Sequence, residues 1–248
     1  MNEREYHDLH YETEAARIQG TALFERVHER AARQFLRATR AGPRHRILSL
    51  GCGDGSIERR LAPRVAEIVG IDLSGVAIRQ AREKCAAAGL RNVTFRVADA
   101  GSLPKQELGQ FDVVAAFAFL HHLKDDQISE TLRASRERLR PGGVFYSTDP
   151  SRRRLVRFLA PLVCARYDRY HSPDERELQP SDVCMLAMRA GFGAPVIDYV
   201  DYFLGPLAWL APRTPSWLAR VLEPVDDLAL TLPFVRRFAS SFSLLAAV

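Results

Sequence analysis

The chain has 248 residues, of which 47% are hydrophobic and 26% are charged, and this composition is ordinary for a soluble globular protein. Its net charge is +5, but acidic residues are interleaved with the arginines along most of the chain. This mixture favours a solvated surface over a nucleic-acid-binding patch. The longest unbroken apolar run, from Val113 to Leu120, is too short to cross a bilayer, which excludes it as a transmembrane helix.

The four cysteines, Cys52, Cys85, Cys164 and Cys184, show no C-x-x-C pairing and no His/Cys cluster with zinc spacing. We therefore expect reduced thiols, a cytoplasmic location and no metal site. The N-terminus shows no basic segment followed by an apolar one, so we expect no signal peptide.

Strand and helix patterns alternate between residues 46 and 148, which predicts parallel strands joined by helical crossovers. Before them, apolar residues at helical spacing predict a helix over residues 21–40. The predicted strands are residues 46–50, 68–72, 93–97, 111–116 and 144–148. The predicted helices run from Ser56 to the residue before Pro63, from the N-cap Ser74 to Gly89, and from the N-cap Asp125 to Leu139.

The pattern changes after Pro150. A long segment without sheet character, residues 204–238, separates the last two predicted strands, and its prolines are expected to break short apolar helices. The elements predicted here are a basic helix at 152–166, a polar loop at 167–180, a helix at 181–190, and strands at 195–203 and 240–248.

A glycine-rich turn follows the first predicted strand. Gly51, Gly53 and Gly55 are spaced so that the backbone can turn sharply and approach a ligand that any Cβ would obstruct. About twenty residues later the second strand ends at Asp72, where a carboxylate suits a ribose diol. The turn therefore predicts an adenosine-containing cofactor. Dinucleotide-binding folds usually place the third glycine one position later, which disfavours an NAD-dependent oxidoreductase.

Further blocks follow the glycine turn in order. They are the strand end Val97-Ala98-Asp99-Ala100, the strand Phe111–Ala116 with Phe117–His122 after it, and the turn Leu139–Gly143. Together, the blocks over residues 45–148 resemble the class I S-adenosylmethionine (SAM) methyltransferases. The resemblance implies an α/β fold with a Rossmann-like, seven-stranded, mostly parallel sheet, helices on both faces and an antiparallel edge hairpin.

We expect a single methyltransferase domain over residues 1–248. Its SAM-binding core would be residues 41–150. The helical cover would come from residues 1–40 and from insertions in the C-terminal part, residues 151–248, which also supplies the last two strands.

The resemblance also implies which residues contact the cofactor. Asp72 would bind the ribose hydroxyls of SAM, and Asp99 would bind the adenine amino group. The reaction product of this cofactor is S-adenosylhomocysteine (SAH). The full set of expected cofactor-binding residues is Ser49, Gly51, Cys52, Gly53, Gly55, Asp72, Leu73, Asp99, Ala100 and Phe117.

One position departs from the family pattern. Ser49 stands two positions before the first glycine, where the family often carries an Asp or Glu that helps to hold the methionine end of SAM. Serine can form a hydrogen bond but adds no charge. A non-catalytic SAM-binding regulatory protein therefore stays open beside an active enzyme.

The pair His121-His122 follows the fourth strand, at the carboxyl edge of the sheet where ligands of open α/β folds bind. Either histidine could accept a proton from an acceptor hydroxyl, because its ordinary pKa is close to neutrality, so both are candidate catalytic residues. The alternative is that they pack against the loop or the cofactor. The candidate acceptor-binding residues are Tyr11, Tyr167, Tyr170 and His171.

The segment after the fourth strand bears on the acceptor. Methylation of base amines or glutamine amides usually goes with a [Asp/Asn/Ser]-Pro-Pro-[Tyr/Phe] sequence there, and this chain has Phe117–His121 instead. The apolar residues within 203–218 favour a cover over a small, partly apolar acceptor, such as a natural product, a lipid or a quinone-like ring.

Other interpretations stay open. A nucleic-acid methyltransferase that uses the arginine surface is the alternative enzyme. A further open interpretation is peripheral membrane contact through the apolar insertion, with Arg152, Arg153 and Arg154 supplying positive charge. The sequence leaves the oligomeric state open.

Overall fold

The structure is a computed structural model that describes residues 3–13, 18, 20–101, 108–155 and 175–248. Of the predicted basic helix and polar loop after Pro150, residues 156–174 lie outside the described part. Tyr167, Tyr170 and His171 are among them. Arg152 and Arg153 form a turn rather than the start of a helix.

The described residues form one seven-stranded sheet in the order β3-β2-β1-β4-β5-β7-β6. Strands β1 to β5 pair in parallel, and β7 runs antiparallel to both β5 and β6. This confirms the predicted Rossmann-like sheet with its antiparallel edge. The strands are β1 Arg46–Leu50, β2 Glu67–Asp72, β3 Val93–Val97, β4 Phe111–Phe117, β5 Leu139–Pro150, β6 Val196–Asp201 and β7 Ser241–Ala247.

Helices cover the sheet and its carboxyl edge. The α-helices are α1 Glu3–Glu12, α2 Ala22–Thr39, α3 Glu58–Leu61, α4 Gly75–Ala87, α5 Asp125–Arg138, α6 Pro180–Arg189, α7 Leu204–Leu210 and α8 Ser216–Thr231. Short 3-10 helices lie at Ala62–Arg64, Leu120–His122 and Val235–Phe238. No helix of the described ranges combines the length and the apolar character needed to cross a membrane.

The two faces of the sheet carry separate clusters of buried side chains, because successive residues of a strand point to opposite faces. On one face Leu48 and Leu50 of β1 pack in the cluster that includes α5 and α6. On the other face Ile47 packs in the cluster of Phe35 from α2 and Tyr146 from β5. The central strands are therefore apolar on both sides, as the continuous apolar runs of the sequence predict.

The ends of two predicted helices are wrong. Helix α3 has a single turn and begins at Glu58 rather than near Ser56, because the preceding residues complete the glycine turn. Helix α5 begins one residue earlier than predicted: Lys124, not Asp125, is its N-cap, and the Lys124 N–H donates to Oε1 of Gln127. The helix then ends at Arg138, since Leu139 already belongs to β5.

The sequence predicted that the prolines of the insertion break its helices, and this prediction is wrong for Pro206 and Pro224. Pro206 lies in the first turn of α7, where a missing N–H costs little, and Pro224 lies inside α8. Helix α8 contacts α2, α7 and β6, and this packing outweighs the loss of one backbone hydrogen bond.

Candidate active site

The glycine turn joins β1 to α3 and depends on its glycines. Gly51, Gly53 and Gly55 have φ values of +61°, +52° and +72°, a region that residues with a Cβ rarely adopt. A Cβ at Gly51 would lie 2.3 Å from the Phe119 ring, and a Cβ at Gly53 would lie 2.2 Å from the Tyr11 hydroxyl. Glycine is therefore required here by both conformation and space.

Asp72 braces this turn from the end of β2. Its Oδ2 accepts a hydrogen bond from the Gly53 N–H at 2.8 Å, and its Oδ1 accepts one from the Ser74 N–H at 2.9 Å. Burial raises the pKa of Asp72, while these two N–H donors oppose the increase. Each carboxylate oxygen keeps a second lone pair that could accept a hydrogen bond from a ribose hydroxyl. The ribose contact itself stays a prediction.

A cavity of about 1090 Å³ lies over the carboxyl ends of the parallel strands. Its walls come from the glycine turn, the ends of β2, β4 and β5, and helices α1, α2 and α7. It brings together most of the residues predicted to bind the cofactor, namely Gly51, Cys52, Gly53, Asp72, Leu73, Asp99, Ala100 and Phe117. Two predicted cofactor residues stand apart from its lining: Ser49 is buried beneath the turn, and Gly55 packs against Phe95 and Ala81.

Tyr11, predicted to bind the acceptor, lies beside the predicted cofactor residues, with its hydroxyl over Gly53. Helix α1 is held there by Asp8, whose Oδ1 accepts hydrogen bonds from the Ser74 hydroxyl at 2.5 Å and the Val76 N–H at 3.2 Å. Burial, followed by the charge of Asp72, raises the pKa of Tyr11, so its phenol is neutral at physiological pH.

The two candidate catalytic histidines lie in the cavity wall, on the 3-10 helix after β4. His121 Nδ1 is 3.3 Å from Oδ1 of Asp149, and the same oxygen accepts the His121 backbone N–H at 3.1 Å. His121 Nε2 lies 4.0 Å from Glu175, and His122 Nδ1 lies 3.7 Å from it. The geometry therefore forms a His121–Asp149 pair with Glu175 close to both imidazole rings.

Asp149 is a fully buried acid at the end of β5. Burial raises its pKa to about 8, although the hydrogen bond from the His121 backbone N–H opposes this increase. Its Oδ2 has no hydrogen-bond partner within the described ranges. A positively charged imidazole is the group that stabilises such a carboxylate, so the charge of His121 and that of Asp149 are linked.

Three important residues had no recognisable signal in the sequence. Glu58 is buried and accepts a hydrogen bond from the Ser49 hydroxyl at 2.6 Å. His28 of α2 lines the cavity, and burial lowers its pKa to about 4. Glu175 reaches the histidines from a segment 53 positions after His122 in the chain. Only the packing of distant segments reveals these residues.

The His121, His122 and Glu175 cluster also bears on the expected absence of a metal. The donor atoms of these three side chains lie within 4.8 Å of one another, a spacing that a metal ion could also bridge. The cysteines do not contribute to it. Cys52, Cys85 and Cys184 are free thiols, as predicted, and Cys164 lies outside the described residues.

Comparison with known proteins agrees with this geometry. The profile of a family described as "Methyltransferase domain" matches residues 47–143. A ubiquinone biosynthesis O-methyltransferase of Methylococcus capsulatus is 34% identical over 135 residues, covering 54% of this chain and 55% of the relative. The protein of that name from Bordetella avium is 30% identical over 163 residues, covering 63% of this chain and 66% of the relative.

These matches support a class I SAM-dependent methyltransferase. Its aligned part spans between 55% and 66% of the length of these two methyltransferase relatives. The matched family region, residues 47–143, contains the glycine turn, Asp72, Asp99 and both histidines.

Solved structures share the fold over most of the chain. Magnesium protoporphyrin IX methyltransferase from Synechocystis, determined with bound SAH, has a TM-score of 0.67 at 16% identity and covers 98% of this chain and 97% of its own. The [4+2]-cyclase SpnF has a TM-score of 0.61 at 21% identity, with 88% and 80% covered. These identities show a common fold, and the cyclase shows that this fold hosts more than one reaction.

Proposed function

We propose that this chain transfers the methyl group of SAM to a hydroxyl of a small, partly apolar, quinol-like acceptor. The observation that carries the proposal is one cavity that joins the glycine turn and the acids Asp72 and Asp99 to the His121–Asp149 pair. Ligand cavities commonly measure roughly 300–1,000 Å³. The volume of about 1090 Å³ therefore has room for a cofactor and an acceptor together.

The names of the relatives support the acceptor class. Several are ubiquinone biosynthesis O-methyltransferases, and an acceptor of that kind is a ring with hydroxyl groups and an apolar body. The apolar side of the cavity suits such a ring, since Phe24 of α2 and Leu204, Trp209 and Leu210 of α7 line it. No comparison favours the nucleic-acid alternative. The acids, the proton-accepting pair and the acceptor-sized space together favour an enzyme over a regulatory SAM-binding protein.

The proposed cofactor site uses the residues of the glycine turn and the strand ends. SAM supplies an electrophilic methyl group on a sulfonium, and the chain's part is to hold it in line with the acceptor and to exclude water. Asp72 would bind the ribose, Asp99 would bind the adenine, and Phe117 and Leu73 would line the remaining wall. Helix α1 would close the site, with Tyr11 over the turn.

The proposed proton acceptor is His121. When its ring proton is on Nδ1 and is donated to Asp149, Nε2 carries a lone pair that can accept the phenol proton. Bound SAM would then supply the methyl group: the new oxygen–carbon bond would replace the sulfur–methyl bond, with the methyl ether and SAH as products. Asp149 stabilises the resulting imidazolium and fixes the orientation of the ring.

The test combines binding with turnover. Calorimetric titration with SAH, with NAD as the control, tests the cofactor class, and methylation of a catechol bearing an apolar tail tests the reaction. We expect binding of SAH alone. We also expect Asp149→Asn to lower kcat by about 100-fold, with little change in SAH affinity. Absence of SAH binding would overturn the proposal, and an unchanged kcat in the variant would exclude the His121–Asp149 pair.

The same assay decides between proton transfer and a metal at the His121, His122 and Glu175 cluster. The wild-type protein is dialysed against a chelator before turnover is measured. Unchanged turnover supports His121 as the proton acceptor. A loss of turnover that a divalent cation restores would assign the cluster to a metal ion instead.

We further propose that the acceptor is delivered from an anionic bilayer. Helix α8 and its C-cap Leu232 expose an apolar stripe at helical spacing, formed in the helix by Trp217, Val221, Val225 and Leu228. The exposed aromatic rings of Phe234 and Phe238 extend this stripe, and the exposed arginines Arg220, Arg236 and Arg237 accompany it. An apolar face bordered by arginines suits acyl chains and anionic headgroups. A cytoplasmic location and the single domain also stay predictions.

A further inference from the structure

Ser49 occupies the position where related methyltransferases often carry an acid, but the structure places a carboxylate beside it. The Ser49 hydroxyl donates a hydrogen bond to Oε1 of Glu58 at 2.6 Å, and each of the two residues is 1% exposed. Glu58 begins helix α3, immediately after the glycine turn. The turn therefore reverses the direction of the chain, and Glu58, nine residues after Ser49, lies beside the end of β1.

Glu58 also lines the cavity, whereas Ser49 does not. The Ser49 hydroxyl thus orients the Glu58 carboxylate from the side of the turn that is away from the cavity. We propose that Glu58 binds the ammonium group of the methionine moiety of SAM, in place of the acid that the family often carries at position 49. This inference rests on the proposed function, since it assigns one contact of the same cofactor.

The electrostatics of the site support a cationic ligand. The neighbouring residues Arg59 and Arg60 are ion-paired with Glu25, on helix α2. No ion pair of Glu58 with an arginine or a lysine is found among the residues that the structure describes. A buried carboxylate without a cation is unfavourable, so a ligand ammonium would stabilise its charged form.

The pKa of Glu58 is consistent with this need. Burial raises it to about 7, and the charges of Asp54 and Asp72 contribute to the increase, while the Ser49 hydrogen bond opposes it. Bound ammonium would favour the ionised form and lower this pKa again. Cofactor affinity should therefore rise with pH as Glu58 ionises.

The test compares two ligands that differ in the methionine end. SAH carries the ammonium, whereas 5′-methylthioadenosine carries the same adenosine and sulfur without the amino acid. We expect Glu58→Gln to weaken SAH binding at least tenfold and to change methylthioadenosine binding by less than twofold. The double variant S49D/E58Q returns the carboxylate to the family position, and we expect it to recover most of the lost SAH affinity.

The outcomes separate this inference from the proposed function. A wild-type protein that does not bind SAH removes the proposed function itself. If the wild type binds SAH and Glu58→Gln binds it equally well, or loses both ligands to the same extent, the Glu58 assignment is wrong. In the latter case Glu58 has a structural role in the turn.

A measurement on the wild type covers the case in which the variants do not fold. Between pH 6.0 and 7.5 we expect the SAH affinity to increase about threefold or more, while the methylthioadenosine affinity stays nearly constant. Equal pH profiles for the two ligands would overturn the assignment, because only SAH carries the charge that Glu58 would recognise.

Discussion

At the scale of single residues, the glycine turn carries most of the site's geometry. Gly53 is in contact with the Tyr11 hydroxyl on one side, and its N–H donates to Asp72 on the other. Gly53 therefore lies between helix α1 and the end of β2, and it also lines the cavity. A side chain there would disturb all three.

We expect Gly53→Ala to weaken SAH binding at least tenfold. Alanine at φ +52° costs about 1–2 kcal/mol, and its Cβ would also displace Tyr11 and helix α1. Gly89→Ala is the matched control, because Gly89 has φ +69° but no atom within 4 Å of an added Cβ. That variant should lose stability by a similar amount and keep its SAH affinity. Equal affinity losses in the two variants would show that backbone strain alone explains the effect.

At the scale of elements, the buried carboxylate of Asp226 connects three helices that lie near the cavity. Asp226 of α8 accepts hydrogen bonds from the N–H groups of Tyr202 and Phe203, at 3.1 and 2.8 Å, where α7 begins. Arg30 of α2 lies 3.7 Å from Asp226 and donates to the exposed Asp227 at 2.7 Å. Asp226 therefore joins α8, the start of α7 and α2, three elements that pack together.

We expect Asp226→Ala to lower the free energy of unfolding by about 3 kcal/mol, because two N–H groups would lose their carboxylate acceptor and the buried Arg30 would lose one of its two carboxylate neighbours. Asp227→Ala is the control, and we expect it to cost about 1 kcal/mol or less, since the Asp227 side chain is 69% exposed. Urea unfolding of both variants measures the difference. Similar costs for the two would show that Asp226 does not anchor the cover.

At the scale of the whole molecule, helix α8 and the segment after it expose a continuous group of large apolar side chains. Trp217, Leu228 and Phe234 are 61%, 63% and 79% exposed. Helix α8 also packs on α7, whose residues line the cavity. A bilayer bound at this face would therefore lie next to the apolar wall of the site.

We expect the protein to co-sediment with phosphatidylcholine vesicles that contain phosphatidylglycerol, and to bind less as salt is raised. Leu228→Glu should reduce this binding several-fold, because it places a charge in the middle of the apolar stripe. Met188→Glu on α6, which is 50% exposed, is the control for added negative charge and should have little effect. Equal binding by the two variants would contradict the membrane-facing assignment.

The sequence could predict the features that depend on neighbouring residues. The ends of β1 and β3, the N-cap Ser74 and the positive φ values of the turn glycines follow from local periodicity and stereochemistry. The predicted break at Pro224 failed for the opposite reason. Whether a helix continues through a proline depends on what packs against it, and that information is not local.

The candidate site divides in the same way. By itself, the sequence determined the glycine turn, the acid that ends β2 and the histidine pair after β4, because a β-strand edge and its motif lie within a few residues of one another. Only the tertiary structure brought Glu58 to Ser49, Asp149 to His121 and Asp226 to the start of α7. These contacts join residues between 9 and 28 positions apart, and the distances between them are set by how the helices and strands pack, which no local pattern encodes.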